Sequence, residues 1–201
     1  SAMTASGLPV RIQELHAQVN QATNVDFHEA VERLPVPLIT FEVGQYCCYP
    51  DVSIMARYTG AMEPSNFAWI DADMRRKGIR ERLPEYLAAS GDLAMRLYKE
   101  DVEAALRTPG LAGFQLLALS DYTGQSTATI GLLDVFLHSK GICQPEDFRC
   151  FCDAVVPLFK AKRIFTTDEV LEAELGLYDH GAAPLARPRW GVRIDKDGES
   201  F

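Results

Sequence analysis

The chain has 201 residues, of which 47% are hydrophobic, so it is long and apolar enough for one compact domain, or one and a half, with a substantial core. Its net charge is −8 at pH 7, and we find no Lys/Arg cluster of the kind that neutralises phosphates. This balance argues against a nucleic-acid partner and against an anionic membrane surface, because both bind basic patches. No apolar run reaches the roughly 20 residues that a membrane-spanning helix needs.

The cysteine pattern favours free thiols over disulfides or a zinc site. There are five cysteines, and an odd number is poorly suited to a disulfide framework. They include an adjacent pair and a Cys-x-Cys, but no Cys-x-x-Cys and no histidine at zinc-finger spacing. The residues are Cys47, Cys48, Cys143, Cys150 and Cys152. The sequence predicts neither a metal site nor a cofactor.

The first clear element is a short helix. Apolar residues recur at helical spacing from Phe27 to Leu34, after a pattern at Thr23 and Asp26 that resembles a capping box. Pro35 then leads into the next element. We therefore predict a helix of about ten residues at this point.

A nearly continuous apolar run from Val36 to Val43 follows the helix. Such a run predicts a strand buried on both faces, as parallel strands in α/β proteins usually are, and Gly44 ends it. Glu42 lies at its C-terminal end, which is the edge where α/β sheets and barrels place catalytic groups. Glu42 is therefore a candidate catalytic carboxylate. The alternative is an ion-pair partner or a cap for the next helix.

The loop after this strand contains an amide and two aromatic side chains, Gln45, Tyr46 and Tyr49. Aromatic faces and amide groups stack on sugar rings and hydrogen-bond to them, so these residues are candidate ligand contacts. Tyrosines also anchor loops to protein cores. The sequence favours neither role.

The stretch from residue 64 to residue 107 predicts three helices. Gly91 separates the second helix from the third, and Thr108-Pro109-Gly110 ends the third. The third helix carries a charged run, and we predict that this run forms its solvent-exposed face. This run consists of Lys99, Glu100, Asp101 and Glu103.

A second apolar run extends from Gly113 to Asp121, contains Gln115 and also ends in an acid. Two buried strands joined by a helical crossover form a parallel βαβ unit. This arrangement places Glu42 and Asp121 at the same edge of the sheet. A polar loop that includes Gln125 follows, and its glycine pattern does not match a phosphate-binding loop.

The last third of the chain changes in character. Pro145 opens a predicted helix whose inner face extends to Val155. Partial alternation from Glu169 to Tyr178 and a short run from Trp190 to Ile194 predict strands, and residues 195–198 form a hairpin-type turn. We interpret this region as the first strands of a β-sandwich.

Five segments of the chain carry a family resemblance through their order and spacing. They are Phe41-Glu42-Val43-Gly44-Gln45-Tyr46, Tyr49-Pro50, Leu106-Arg107-Thr108-Pro109-Gly110, Gly113-Phe114-Gln115-Leu116-Leu117 and Asp121-Tyr122-Thr123-Gly124-Gln125. Together they resemble the catalytic module of bacterial glycoside hydrolases related to β-galactosidase family 2, over roughly residues 25–180. In that family the module is a (β/α)8 barrel flanked by β-sandwich domains, and the nucleophilic Glu ends the seventh strand.

The resemblance implies an α/β fold in which residues 1–167 are the last strands and helices of a TIM-type barrel. Residues 168–201 would begin a β-sandwich or form a β-hairpin extension. Glu42 would be the nucleophile of a retaining hydrolase acting on β-linked carbohydrate, without metal or cofactor, in the bacterial periplasm or outside the cell. The implied substrate contacts are Gln45, Tyr46, Tyr49, Gln115, Asp121 and Gln125.

The chain departs from the family pattern in three places. Relatives carry His and Asp where this chain has Phe41 and Ala118, and their general acid/base follows an Asn, whereas no Asn-Glu pair occurs here. Asp121 is better suited to a sugar ligand or a structural role than to a general acid. We therefore expect the isolated chain to be inactive as a hydrolase. The alternatives are a non-catalytic carbohydrate-binding module and a half-barrel that self-associates to cover exposed strand edges.

Overall fold

The computed structural model describes residues 26–122, 128–183, 185–189, 191–196 and 199–200, and within them the fold is mixed α/β. The helices are α1 (His28–Arg33), α2 (Ser65–Arg76), α3 (Leu83–Leu106) and α4 (Pro145–Arg149), with 3-10 turns at Val52–Arg57 and Arg80–Arg82. The strands are β1 (Ile39–Val43), β2 (Gly113–Leu116), β3 (Val155–Ala161), β4 (Ala173–Asp179), β5 (Asp195–Lys196) and β6 (Glu199–Ser200). These strands pair as three two-stranded sheets: β1 with β2, β3 with β4 and β5 with β6.

The sheet that contains Glu42 is parallel. Ile39 of β1 lies opposite Gly113 of β2, and the connection between the strands passes through α2 and α3. This pairing confirms the predicted parallel strands with a helical crossover. The part of the chain that the structure describes contains no closed barrel, so the TIM-type barrel stays a prediction.

One face of the β1–β2 pair packs against α3. Phe114 and Leu116 lie against a buried cluster that includes Val102 of α3. On the opposite face, Ile39 is 54% exposed and Phe41 is 52% exposed. The prediction that the first strand is buried on both faces is therefore wrong, because α3 covers one face while the other is open to solvent. Parallel sheets are normally covered on both faces, so an exposed apolar face is unusual for such a sheet.

The helix α3 is continuous over 24 residues, so the prediction that Gly91 separates two helices is wrong. A Cβ atom at Gly91 would lie 2.4 Å from Cγ2 of Ile142. Gly91 therefore lets the segment that precedes α4 approach α3 closely. Helix-favouring neighbours and burial outweigh the weak helix propensity of a single glycine.

The prediction that the charged run on α3 faces solvent is also wrong. Glu100, Asp101 and Glu103 are all buried, and only 1% of Glu100 is exposed. Glu100 binds Arg107 through Nη2 at 2.7 Å and also binds Arg163, which directly follows the β3 region. Buried carboxylates are tolerated when such partners are present. The contact with Arg163 ties the β3–β4 hairpin to α3.

The helix α4 begins at Pro145 as predicted but ends at Arg149, short of the predicted end at Val155. Val155 instead opens β3, which pairs antiparallel with β4 over seven residue pairs. Pro157 fits the extended conformation of β3, because proline lacks an N–H and disfavours helical geometry at the residue before it. This hairpin crosses the predicted domain boundary at residue 168.

The end of the described chain forms a short hairpin of β5 and β6. Residues 191–194 are not in a strand, so that part of the predicted strand is wrong, while Trp190 lies outside the described residues. The predicted turn residues Asp197 and Gly198 also lie outside them. Among the residues with described positions, no helix has both the length and the apolar character needed to cross a bilayer.

Candidate functional site

Glu42 lies at a β-bulge near the end of β1. The pairing advances from Thr40 opposite Phe114 to Val43 opposite Leu116, so β1 uses one residue more than β2 over this step. The extra residue shifts the alternation and turns Val43 into the core. Bulges are common beside active sites because they redirect a side chain. Here the bulge leaves the side chain of Glu42 half-buried at the carboxyl end of the strand.

The backbone of Glu42 is in the left-handed region, with a φ of 60°. This conformation costs a non-glycine residue about 1–3 kcal/mol, so the surrounding structure must impose it. After the bulge, the N–H of Leu117 donates to the carbonyl of Val43 at 3.0 Å, which restores the strand pairing. Residues with strained backbones occur at many functional sites, and here the strained residue itself carries a carboxylate.

Gly44 and Tyr98 fix the turn that follows Glu42. Gly44 has a φ of 87°, and a Cβ atom there would lie only 2.0 Å from Cε1 of Tyr98. Tyr98 is buried, and its hydroxyl donates to the carbonyl of Ile130 at 2.6 Å. One aromatic side chain of α3 thus contacts the turn after β1 and the segment that follows β2.

The nearest polar partner of Glu42 is Gln45. The Gln45 amide nitrogen, Nε2, donates to Oε2 of Glu42 at 2.9 Å and to the Glu42 carbonyl at 3.4 Å. Gln45 is exposed. Its amide therefore orients the carboxylate from the solvent side of the turn.

Tyr46 is a core residue. Its hydroxyl donates to Oδ2 of Asp101 at 2.8 Å, and its ring packs edge-on against Tyr98 with centroids 6.1 Å apart. Burial, followed by the nearby Asp101 carboxylate, raises the pKa of Tyr46 far above its usual value. The hydroxyl and ring of Tyr46 thus have internal partners, which favours a packing role over the predicted substrate contact.

Tyr49 is half-buried and anchors its loop to α3. Its ring stacks on Tyr86 with centroids 5.2 Å apart, and its backbone N–H donates to Oγ of Ser90 at 2.8 Å. These contacts match the anchoring role that the sequence left open.

Asp121 is held in a buried ion pair. Its side chain is 8% exposed, and Oδ1 accepts from Nζ of Lys140 and from the N–H of Gly131, each at 2.9 Å. Nζ of Lys140 also donates to the carbonyls of Thr129 and Gly131. Burial raises the pKa of Asp121, although the bonds from Lys140 and Gly131 act in the opposite direction. The Asp121–Lys140 pair therefore stabilises the conformation of the segment that follows β2.

Two hydrogen bonds connect the loop that follows Glu42 to the loop that follows Asp121. The N–H of Cys48 donates to the carbonyl of Thr129 at 3.0 Å, and the Thr129 hydroxyl donates to the carbonyl of Cys48. The loop after Glu42 is thereby joined to the loop after Asp121. The prediction that the second strand runs to Asp121 is wrong, because β2 ends at Leu116 and Asp121 lies in the segment beyond it.

The remaining predicted contacts are amides. Gln115 is exposed on β2, opposite the bulge. Gln125 lies outside the described residues. In the part of the chain whose positions are described, no group of three or more His, Cys, Asp or Glu side chains could hold a metal ion, and all five cysteines are free thiols.

The sequence did not indicate Tyr98 or Lys140. Tyr98 looks like one apolar position among many on an amphipathic helix, and Lys140 is an isolated lysine in a polar stretch. The only sequence signal for either is indirect: Gly44 after a carboxylate-bearing strand predicts a tight turn that some bulky side chain must cover.

The comparisons with known proteins add no relative. No protein-family model matches the chain, and no curated protein is significantly similar to it.

Proposed function

We propose that this chain is a catalytic-domain segment of a retaining glycoside hydrolase that acts on β-linked carbohydrate, with Glu42 as its nucleophile. The observation that carries the proposal is the placement of Glu42 at a strained β-bulge, half-exposed, at the carboxyl end of a parallel strand. Strand ends of this kind hold the reactive groups of α/β enzymes. The resemblance of the ordered segments to family 2 supports a sugar as the substrate.

In a retaining mechanism a Glu42 oxygen attacks the anomeric carbon, and the leaving group departs with the bonding electron pair. A second carboxyl about 5–5.5 Å from the nucleophile normally protonates that leaving group. The sequence has no Asn-Glu pair, and Asp121 is only 8% exposed, with Oδ1 held by Lys140 and by the N–H of Gly131, so it is poorly placed to reach a leaving group. Loss of general acid catalysis typically costs a factor of about 10²–10⁴. The chain alone should therefore accept only donors whose leaving group needs no proton.

The test uses such donors. The chain is incubated with the 2-deoxy-2-fluoro derivatives of β-glucosyl fluoride and β-galactosyl fluoride. Fluoride leaves without protonation, and the 2-fluoro substituent slows hydrolysis of the ester. We expect intact-mass spectrometry to show one added glycosyl group on the wild-type chain and none on Glu42→Gln.

Glu63→Gln is the matched control, because Glu63 is another exposed glutamate that should not react. The Glu63→Gln chain should therefore be labelled to the same extent as the wild type. A wild-type chain that remains unlabelled by both reagents, or a Glu42→Gln chain that still labels, would contradict the proposal.

The missing acid favours a second candidate, a carbohydrate-binding module without chemistry. This candidate predicts that calorimetry detects binding of simple galactosides or glucosides and that binding survives Glu42→Gln. Labelling of Glu42 would rule it out.

A further inference from the structure

We propose that Gln45 is a positioning residue that holds the Glu42 carboxylate for attack, rather than a ligand of the sugar; this inference rests on the function proposed above. The contact that carries it is the 2.9 Å hydrogen bond from Nε2 of Gln45 to Oε2 of Glu42. The same nitrogen also donates to the Glu42 carbonyl at 3.4 Å.

Both acceptors of the amide nitrogen belong to Glu42. The nitrogen of a glutamine side chain carries two hydrogens. The contact at 2.9 Å directs one of them to the Glu42 carboxylate, and the contact to the Glu42 carbonyl is longer, at 3.4 Å. This assigns Gln45 a role directed at Glu42.

The backbone on both sides of Gln45 is fixed. Gly44 lies against the Tyr98 ring, where no side chain fits, and Tyr46 is bonded through its hydroxyl to Asp101. Gln45 is therefore the exposed residue between two anchored neighbours. Because the backbone is fixed, only the side-chain torsions of Gln45 have to be ordered for its amide to reach back across the turn to Glu42.

The chemical consequence concerns the two carboxylate oxygens. A retaining nucleophile uses one oxygen to attack, so a bond to Oε2 stops the carboxylate from rotating and leaves Oε1 for the anomeric carbon. Such pre-organisation increases the reaction rate without strengthening the binding of the sugar. A positioning role and a ligand role therefore affect different kinetic constants.

The test measures labelling by the 2-fluoro glycosyl fluorides as a function of reagent concentration in the wild type and in Gln45→Leu, which keeps the size of the side chain without its donors. We expect the maximal labelling rate constant to fall about tenfold, while the reagent concentration for half-maximal rate stays within a factor of two. An unchanged maximal rate constant with a higher reagent concentration for half-maximal rate would overturn the inference, because it would make Gln45 a sugar ligand.

A second measurement does not need chemistry. The side-chain amide signals of Gln45 are followed by NMR in the wild type, in Glu42→Ala and in the control Glu63→Gln. We expect the signals to move in Glu42→Ala and to stay in place in the control. Unmoved signals in Glu42→Ala would overturn the contact. If the wild type does not label at all, the proposed function fails, and the amide signals alone decide whether Gln45 holds Glu42.

Discussion

At Gly44 two independent constraints coincide: a φ of 87° and an aromatic ring where a Cβ atom would lie. Because the turn at Gly44 directs both Glu42 and Gln45, a change there should affect the site and the stability together. The first constraint alone disfavours any residue with a side chain. The second makes the position more restrictive than an ordinary left-handed glycine.

We therefore expect Gly44→Ala to lower the free energy of unfolding by about 3 kcal/mol or more, through the steric conflict with Tyr98 added to the backbone cost. Gly78 is the matched control, because it has a φ of 67° and nothing within 4 Å of the position of a Cβ atom. Gly78→Ala should cost only about 1 kcal/mol. Urea denaturation measures both, and equal costs would show that contact with Tyr98 does not matter.

Lys140 offers a second prediction for a single residue. Replacing it by Met leaves the Asp121 carboxylate buried without its cation, and breaking a buried pair from one side typically costs about 3–5 kcal/mol. We expect Lys140→Met to lower the free energy of unfolding by an amount in this range. The surface pair of Lys160 and Glu174 is the comparison, because Lys160→Met should cost less than about 1 kcal/mol. A Lys140→Met chain as stable as the wild type would contradict the structural role of the pair.

At the scale of elements, the buried carboxylate of Glu100 joins α3 to the β3–β4 hairpin. Each of its oxygens binds a different arginine: Arg107 on one side and Arg163 on the other. We expect Glu100→Gln to lower the free energy of unfolding by about 3 kcal/mol, because Arg163 loses the carboxylate that it binds and Arg107 keeps only its longer contact with Glu103. Hydrogen exchange should then show faster exchange at the β3 and β4 amides. Unchanged protection of the hairpin would contradict a tethering role.

The β3–β4 connection contains a second ion pair with a measurable pH signature. Glu169 accepts hydrogen bonds from Lys162 and from the N–H of Thr166, and these bonds lower the pKa of Glu169 from 4.5 to about 2. Because the folded-state value is depressed, the contribution of this pair to stability is present above about pH 4.5 and is lost as the pH falls through about 2. An NMR titration of the Glu169 carboxyl measures this value. A midpoint near 4.5 would show that the bonds do not persist in solution.

At the scale of the whole molecule, the open face of the β1–β2 pair is an exposed apolar surface. Ile39 and Phe41 are each more than half exposed on it, and Val36, just before β1, is also more than half exposed. Exposed apolar surface of this kind on a parallel sheet promotes association. We expect analytical ultracentrifugation to detect self-association that increases with concentration and weakens in Ile39→Gln. Trp69→Gln, at an exposed site on α2, should leave it unchanged, and a monomer at all concentrations would contradict this expectation.

The sequence predicted the features of the fold that depend on local pattern. Apolar runs around Glu42 and Gly113 predicted the parallel pair, although the apolar residues Ile39 and Phe41 turned out to be exposed on one face. The bulge at Glu42 could not be predicted, since it depends on the register between strands more than 70 residues apart. The burial of Glu100 was missed for a similar reason: its partner Arg163 is 63 positions away. Among the site residues, the candidates Glu42 and Gln45 followed from the pattern, whereas the roles of Tyr46 and Asp121 were set by tertiary contacts.

The most direct test of Glu42 as the nucleophile is to locate the sugar after reaction with the 2-fluoro glycosyl fluorides. Tandem mass spectrometry of the digested chain identifies the carboxyl that carries the ester. If Glu42 is the nucleophile, the glycosyl group will be found on Glu42. A glycosyl group on Asp121 or on any other carboxyl would contradict it.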